Sequence, residues 1–134
     1  MEIQIKTSER EELIDITNKV KDIVKKNSDK EGNNNACIVY VPHATCSIIV
    51  NENYDNAVCD DILNYLNKQI PQGKCKHDKI DNNADAHIKA SIIGPGQIIP
   101  IDSKTGDLQL GTWQGIALAE FDGPRKRTVV VRLL

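Results

Sequence analysis

Asn83, His87 and Ser91 stand at i, i+4 and i+8 in the stretch of residues 81–94, DNNADAHIKASIIG. On a helix that spacing lines up an amide, an imidazole and a hydroxyl on one stripe. Such a stripe either faces water, or turns inward and needs hydrogen-bond partners, which a bound ligand can supply. Ala84, Ile88 and Ile92 form a parallel apolar stripe, expected to pack against a sheet. Gly94 is a C-terminal stop signal.

The other histidines, His43 and His77, each lie at the end of a segment. Three imidazoles can hold a zinc ion with one position left open. Their spacing matches no local metal motif, so separate roles are the competing reading. A divalent metal, zinc or magnesium, is the candidate cofactor on the first reading. His43 stands two residues before Thr45, and Glu52 lies one strand-length on. His43 and Glu52 are therefore a candidate acid–base pair, with solvent exposure of His43 as the alternative. Arg125, Lys126, Arg127 and Arg132 crowd the last ten residues. They read as a solvated strand end or as a patch for carboxylate or phosphate, which arginine suits by geometry.

The elements that must position these groups fit one domain over residues 1–134. Net charge is −2, which gives no electrostatic case for nucleic acid or an anionic membrane. No apolar run approaches a membrane span, and residues 1–6 lack a signal-peptide layout, so a cytoplasmic protein is the expectation. The four cysteines show no C-x-x-C spacing. Cys37, Cys46 and Cys59 sit in apolar segments as packing residues. Cys75 lies between Lys74 and Lys76, a weak signal for a reactive thiol.

Ile3 and Ile5 alternate with polar residues as a first strand. Ser8 and Glu11 fit a capping box, and Leu13, Ile16, Val20 and Ile23 then predict one amphipathic helix over residues 9–26. Residues 27–35 read as a loop. Strands are expected at 37–41 and 45–50, with Pro42 and His43 between them. A second helix is expected over 54–68, with Ala57, Val58, Ile62, Tyr65 and Leu66 toward the core. Residues 72–82 form a polar loop carrying His77. Strands are expected at 97–101 and 108–111, with a turn at 103–107. Residues 113–121 and 126–134 are expected to pair as a hairpin. Val129, Val130 and Val131 mark the last strand as central or covered.

Three motifs resemble the YjbQ-like family: Pro42-His43-Ala44-Thr45 with Asn51-Glu52; His77-Asp78 with Asn83-x-Asp85-Ala86-His87 and Ser91-x-x-Gly94; and Leu110-Gly111-Thr112-Trp113-Gln114 with the run from Glu120 to Arg127. Their order and spacing cover nearly the whole chain. Ala44 departs from a position where threonine is frequent. The resemblance implies an α+β fold with an antiparallel sheet, a homotrimer, and a pocket gathering the motif residues. It also implies a weak thiamin-phosphate synthase activity, joining a thiazole phosphate to a pyrimidine diphosphate.

The leading expectation is an enzyme acting on a small phosphorylated or otherwise anionic metabolite. His43, His77 and His87 would supply acid–base groups or hold a metal. Asn51, Asn83 and Ser91 would orient the ligand, with Thr45 and Gln114 beside them. Arg125 and Arg127 would neutralise anionic groups. Glu52, Asp85 and Glu120 are candidate bases or partners that fix histidine tautomers. The rival is a trimeric binding module that captures a small anion or metal ion without turnover. It is favoured by the absence of a phosphate-cradling glycine loop and of a nucleophile elbow.

Overall fold

The alternation at Ile3 and Ile5 produces β1 (Glu2–Lys6), with both isoleucines buried and their neighbours exposed. The structure, a computed structural model, describes residues 1–27 and 34–134. Most of the loop expected over 27–35 lies outside the described residues. After β1 come β2 (Glu12–Asp15), α1 (Thr17–Asn27), β3 (Ala36–Tyr40), β4 (Cys46–Glu52) and α2 (Asn56–Gln69). A short 3₁₀ turn (Lys76–Lys79) leads into α3 (Ala84–Ile93). The chain continues through β5 (Gly96–Pro100), β6 (Gln114–Glu120) and β7 (Lys126–Leu133).

The strands form two antiparallel sheets, one ordered β1-β7-β3-β5 and the other β2-β6-β4. Both sheets and α1 share one apolar core. Ile3, Val39, Val129 and Val131 come from the first sheet, Ile48, Ile116 and Leu118 from the second, and Val20 and Val24 from α1. The period of two sends the alternate residues of the second sheet to its outer face. There Ala119 and Phe121 pack with Ala86 and Ala90 of α3, joined by Leu63 and Leu66 of α2. The result is an α+β fold in a single compact domain. Among the described residues no helix is long and apolar enough to cross a membrane.

Several expectations are corrected. The helix predicted over 9–26 is divided. Leu13 and Ile14 are strand residues paired with Ala119 and Leu118, and the helix begins only at Thr17. Asp15 sets that start, because its Oδ1 accepts from the Thr17 amide at 2.8 Å and the Thr17 hydroxyl at 2.5 Å. Glu12, not Glu11, takes the Ser8 and Glu9 amides. Second, residues 113–121 and 126–134 form no hairpin. β6 pairs with β2 and β4, whereas β7 lies between β1 and β3, so the segment between them crosses from one sheet to the other. Third, the strand expected at 108–111 reduces to a single bridge, Ile101 to Leu108. Fourth, Tyr65 of α2 faces solvent, and no α2 side chain is fully buried.

Helix α3 is turned differently from its apolar stripe. Ile88 and Ile92 are exposed, Ile92 by 67%, while Asp85 and Lys89 are buried with Ala86 and Ala90. A charged pair faces inward because its charges are met there.

Candidate functional site

The site residues predicted from sequence fall into four separate places. The first is an ionic box between the sheets. Arg127 of β7 is in register with Ile5, and it shares its side of the strand with Val129 and Val131, so it points into the core. Glu120 of β6 faces it. Arg127 Nε donates to Glu120 Oε2 at 2.7 Å and Nη2 to Oε1 at 2.5 Å, while Nη2 also donates to Thr45 Oγ1 at 2.8 Å. Glu120 Oε1 further accepts from the amides of Phe121 and Asp122 at 3.0 and 2.9 Å, and Oε2 accepts from the Thr7 hydroxyl at 3.2 Å. Arg127 is 5% exposed and Glu120 fully buried. The expected surface arginine is thus an internal cation, and the expected base has both oxygens committed.

His43 stands beside this box, at the residue that follows Arg127. Its Nε2 accepts the Thr128 amide at 2.9 Å, so the neutral ring carries its proton on Nδ1. Burial lowers its pKa, the Arg127 charge lowers it further, and Glu120 partly offsets both. The neighbouring Cys46 thiol is pushed up to about 11 by burial, as is Cys37. Both are inert packing residues.

The second place is the far end of β4, where Asn51, Glu52 and Gln114 gather. Glu52 is paired in register with Gln114, and the Glu52 amide donates to the Asn51 side chain at 2.8 Å. Gln114 Oε1 accepts from the Gly111 amide at 2.9 Å. Glu52 lies six residue steps along the extended strand from Cys46, a distance of ~20 Å. Within one chain Glu52 therefore does not pair with His43.

The third place is the inner side of α3. Lys89 Nζ donates to Asp85 at 2.9 Å, to Glu11 at 2.6 Å and to Asn67 at 2.5 Å. Arg10 holds the Asp85 carboxylate with two bonds, at 2.9 and 3.2 Å. Burial raises the Asp85 pKa, but the bonds and charges of Arg10 and Lys89 outweigh it and hold the carboxyl below its ordinary value. Asp85 is a structural anion, turned away from His87. Sequence reasoning missed Lys89, whose one available signal was its place four residues after Asp85.

The fourth place is the outer side of α3, and here the structure brings two histidines together. The rings of His77 and His87 meet edge to face, with centroids 5.2 Å apart. Together with Cys75, Ala84 and Ile88 they line an open depression of about 380 Å³. His77 Nε2 stands 3.7 Å from Asp81 Oδ2. Ser91 contributes nothing to this wall, since it is exposed and its hydroxyl donates to the His87 carbonyl at 2.8 Å. Among the described residues no group of three or more His, Cys, Asp or Glu side chains could hold a metal ion. The residues of one chain do not fit a three-histidine centre, because His43 is engaged at the β7 backbone.

Asn83 caps α3 one residue before Ala84. Its Nδ2 donates to Asp122 Oδ2 at 3.0 Å, and the same oxygen accepts from Arg125 Nη2 at 2.8 Å. Burial raises the Asp122 pKa, but the Asn83 and Arg125 contacts win and lower it. Arg125 is about half exposed and is the motif arginine open to solvent.

A profile of the family described as "UPF0047 protein YjbQ-like" matches residues 1–134. The chain belongs to the YjbQ/UPF0047 family. A UPF0047 protein of Archaeoglobus fulgidus is 44% identical over the full length of both chains. One from Methanocaldococcus jannaschii is 45% identical, covering 98% of this chain and 91% of the relative. The crystal structure of an uncharacterized YjbQ/UPF0047 protein of Clostridium acetobutylicum matches with a TM-score of 0.91 at 44% identity, over 100% of this chain and 99% of that one. A YjbQ-like protein of unknown function from Sulfolobus solfataricus matches with a TM-score of 0.92 at 36% identity, over 99% and 94%. These YjbQ-like structures share the two-sheet, three-helix arrangement.

Proposed function

We propose that the chain is a cytoplasmic enzyme acting on a small phosphorylated or otherwise anionic metabolite, with the His77–His87 depression as its working surface. The observation that carries this reading is the meeting of two imidazoles in an open hollow. Imidazole is suited to exchange protons near neutral pH. Asp81 stands where it can orient the His77 ring. Arg125, linked through Asp122 to Asn83, the residue before Ala84, supplies an exposed positive charge. Arg127 and Arg10 cannot serve so well, because Arg127 is spent on a buried carboxylate and Arg10 lies at the inner side of α3.

The family resemblance extends this reading to coupling of a thiazole phosphate with a pyrimidine diphosphate. Diphosphate would leave in that reaction. A protonated imidazole would assist the departure, and Arg125 would neutralise the charge that develops. We further propose that the working form is a homotrimer. Trp113, Ile92 and Ile98 are large apolar side chains, each exposed by more than 60% in the single chain, and a second copy would cover them.

A non-catalytic trimeric binding module is the second reading. It is favoured by the internal commitment of Glu120, Asp85 and Arg127, which leaves none of the three to serve the depression. The test is incubation with thiazole phosphate and pyrimidine diphosphate, following diphosphate release and the coupled product by mass. Turnover lost in both His77→Asn and His87→Asn is the expected result. Thermal stabilisation by these phosphates without turnover would favour the binding module. Neither stabilisation nor turnover would overturn both.

A further inference from the structure

The Arg10 guanidinium is held on one side and open on another. Nη1 donates to Asp85 Oδ2 at 3.2 Å and to Glu11 Oε1 at 2.9 Å, and Nη2 donates to Asp85 Oδ1 at 2.9 Å. The N–H groups that remain, on Nε and on Nη2, lie along one edge of the planar group. Among the described residues that edge meets no acceptor. It is not shut in either. The buried polar side-chain atoms left without a partner are Asn53 Nδ2 and Asn83 Oδ1, so Arg10 Nε reaches the surface. Two parallel N–H groups are the shape that holds a carboxylate by two bonds. The grip of Asp85, itself buried, fixes the plane of the guanidinium beforehand and lowers the cost of ordering it on binding.

Arg10 lines an open hollow of about 440 Å³ with Glu9, Glu11, Asn67, Pro71 and Gln72. The hollow shares no lining residue with the histidine depression. Glu11 and Asn67 are engaged by the buried Lys89. Arg10 and Lys89 are thereby balanced by Asp85 and Glu11. Glu9 is left over, since its carboxylate is exposed and has no partner among the described residues. Gln72 donates through Nε2 to the Asn82 carbonyl at 2.7 Å, which leaves its Oε1 as a further acceptor. The wall thus offers one open donor edge and two open acceptors. A phosphate dianion would suit Arg10 but would meet the like charges of Glu9 and Glu11. A simple amine would suit Glu9 and leave the Arg10 edge unmet. A carboxylate and an ammonium on one small molecule answer both.

We infer that this hollow is a second binding site, for a free α-amino acid. Its carboxylate lies on the Nε–Nη2 edge of Arg10, and its ammonium lies between Glu9 and Gln72 Oε1. Pro71, the apolar residue of the wall, suits an aliphatic side chain. The site is independent of the His77–His87 reading, and neither stands or falls with the other.

The test titrates ¹⁵N-labelled full-length protein with L-leucine, with 4-methylpentanoate, which lacks only the amine, and with 3-methylbutan-1-amine, which lacks only the carboxylate. L-Leucine should bind about ten-fold more tightly than either, the scale of one well-placed hydrogen bond between charged groups. The Arg10 Nε–H and the Gln72 side-chain amide resonances should shift. Glu9→Gln changes an exposed side chain, so it should fold normally and lose most of the preference over 4-methylpentanoate. Arg10→Lys keeps the charge without the fork and should lose the preference over 3-methylbutan-1-amine. If Arg10→Lys does not fold, the three compounds and Glu9→Gln decide. Equal affinity for the three, or no response to any, overturns the inference. So does 4-methylpentanoate or the amine binding as tightly as L-leucine. Shifts confined to His77 and His87 also overturn it.

Discussion

Arg127 and Glu120 join the two sheets by a bidentate contact, Nε to Oε2 and Nη2 to Oε1, at a level where other facing strand positions carry apolar side chains. Removing one member leaves the other charged, buried and unpaired. Arg127→Ala should therefore cost ~3–5 kcal/mol of folding stability. The pair replacement Arg127→Met with Glu120→Leu should cost much less. Urea denaturation of the three proteins checks this. A loss below ~1 kcal/mol for Arg127→Ala would show that the box is open to water.

His43 should make stability depend on pH near neutrality. Burial, with the nearby Arg127 charge, depresses its folded-state pKa. The unfolded chain then takes up its proton first, so stability falls as pH drops through the unfolded value of about 6.5 and levels off below the folded one. Denaturation midpoints from pH 8 to pH 5 should show this slope, and His43→Gln, which keeps an acceptor for the Thr128 amide, should flatten it. An ¹⁵N–¹H correlation should find the Nδ1–H tautomer at pH 8.

Asp85 contributes to the acid limb, as does Asp122. Its folded-state pKa is held below the ordinary carboxyl value by Arg10 and Lys89 against the opposing effect of burial. The stability it contributes is complete above an unfolded value of about 3.9 and is lost as pH falls through the folded one. Asp85→Asn should lose stability at pH 7 and should show a shallower decline below pH 4. An acid limb of unchanged slope would assign the acid sensitivity to other carboxyls.

Assembly is open to direct measurement. Sedimentation at micromolar concentration should give a trimer, and Ile92→Lys with Trp113→Asp should give a folded monomer with unchanged far-ultraviolet dichroism. Both side chains are exposed in the single chain, so these changes should leave its stability nearly unaltered. A monomer before substitution would remove the homotrimer from the functional proposal.

Much of the fold was legible because its signals are local. Alternation marked β1, and the apolar run 129–131 marked β7 as central, which its place between β1 and β3 bears out. The misreadings have physical causes. Leu13 meets helical spacing by coincidence, whereas its partner Ala119 lies far away in sequence. A turn-like segment at 122–125 resembles a hairpin, yet it carries the chain between sheets because each flanking strand has better-matched neighbours. The histidine depression was half legible. His77 and His87 were picked out by type, but the engagement of His43 depends on a backbone amide of β7, which has no signature in residue identity.

The inverted helix α3 constrains the order in which this chain folds. A lysine that must shed its water can do so only where its acceptors already wait. Those of Lys89 come from Glu11, from Asn67 and from Asp85, and Asp85 in turn requires Arg10. Segments distant in sequence must therefore be in place before α3 can seat. Its docking is therefore expected late on the folding path, after the three-stranded sheet and α2. Substitutions at Lys89 should accordingly speed unfolding while leaving the folding rate nearly untouched.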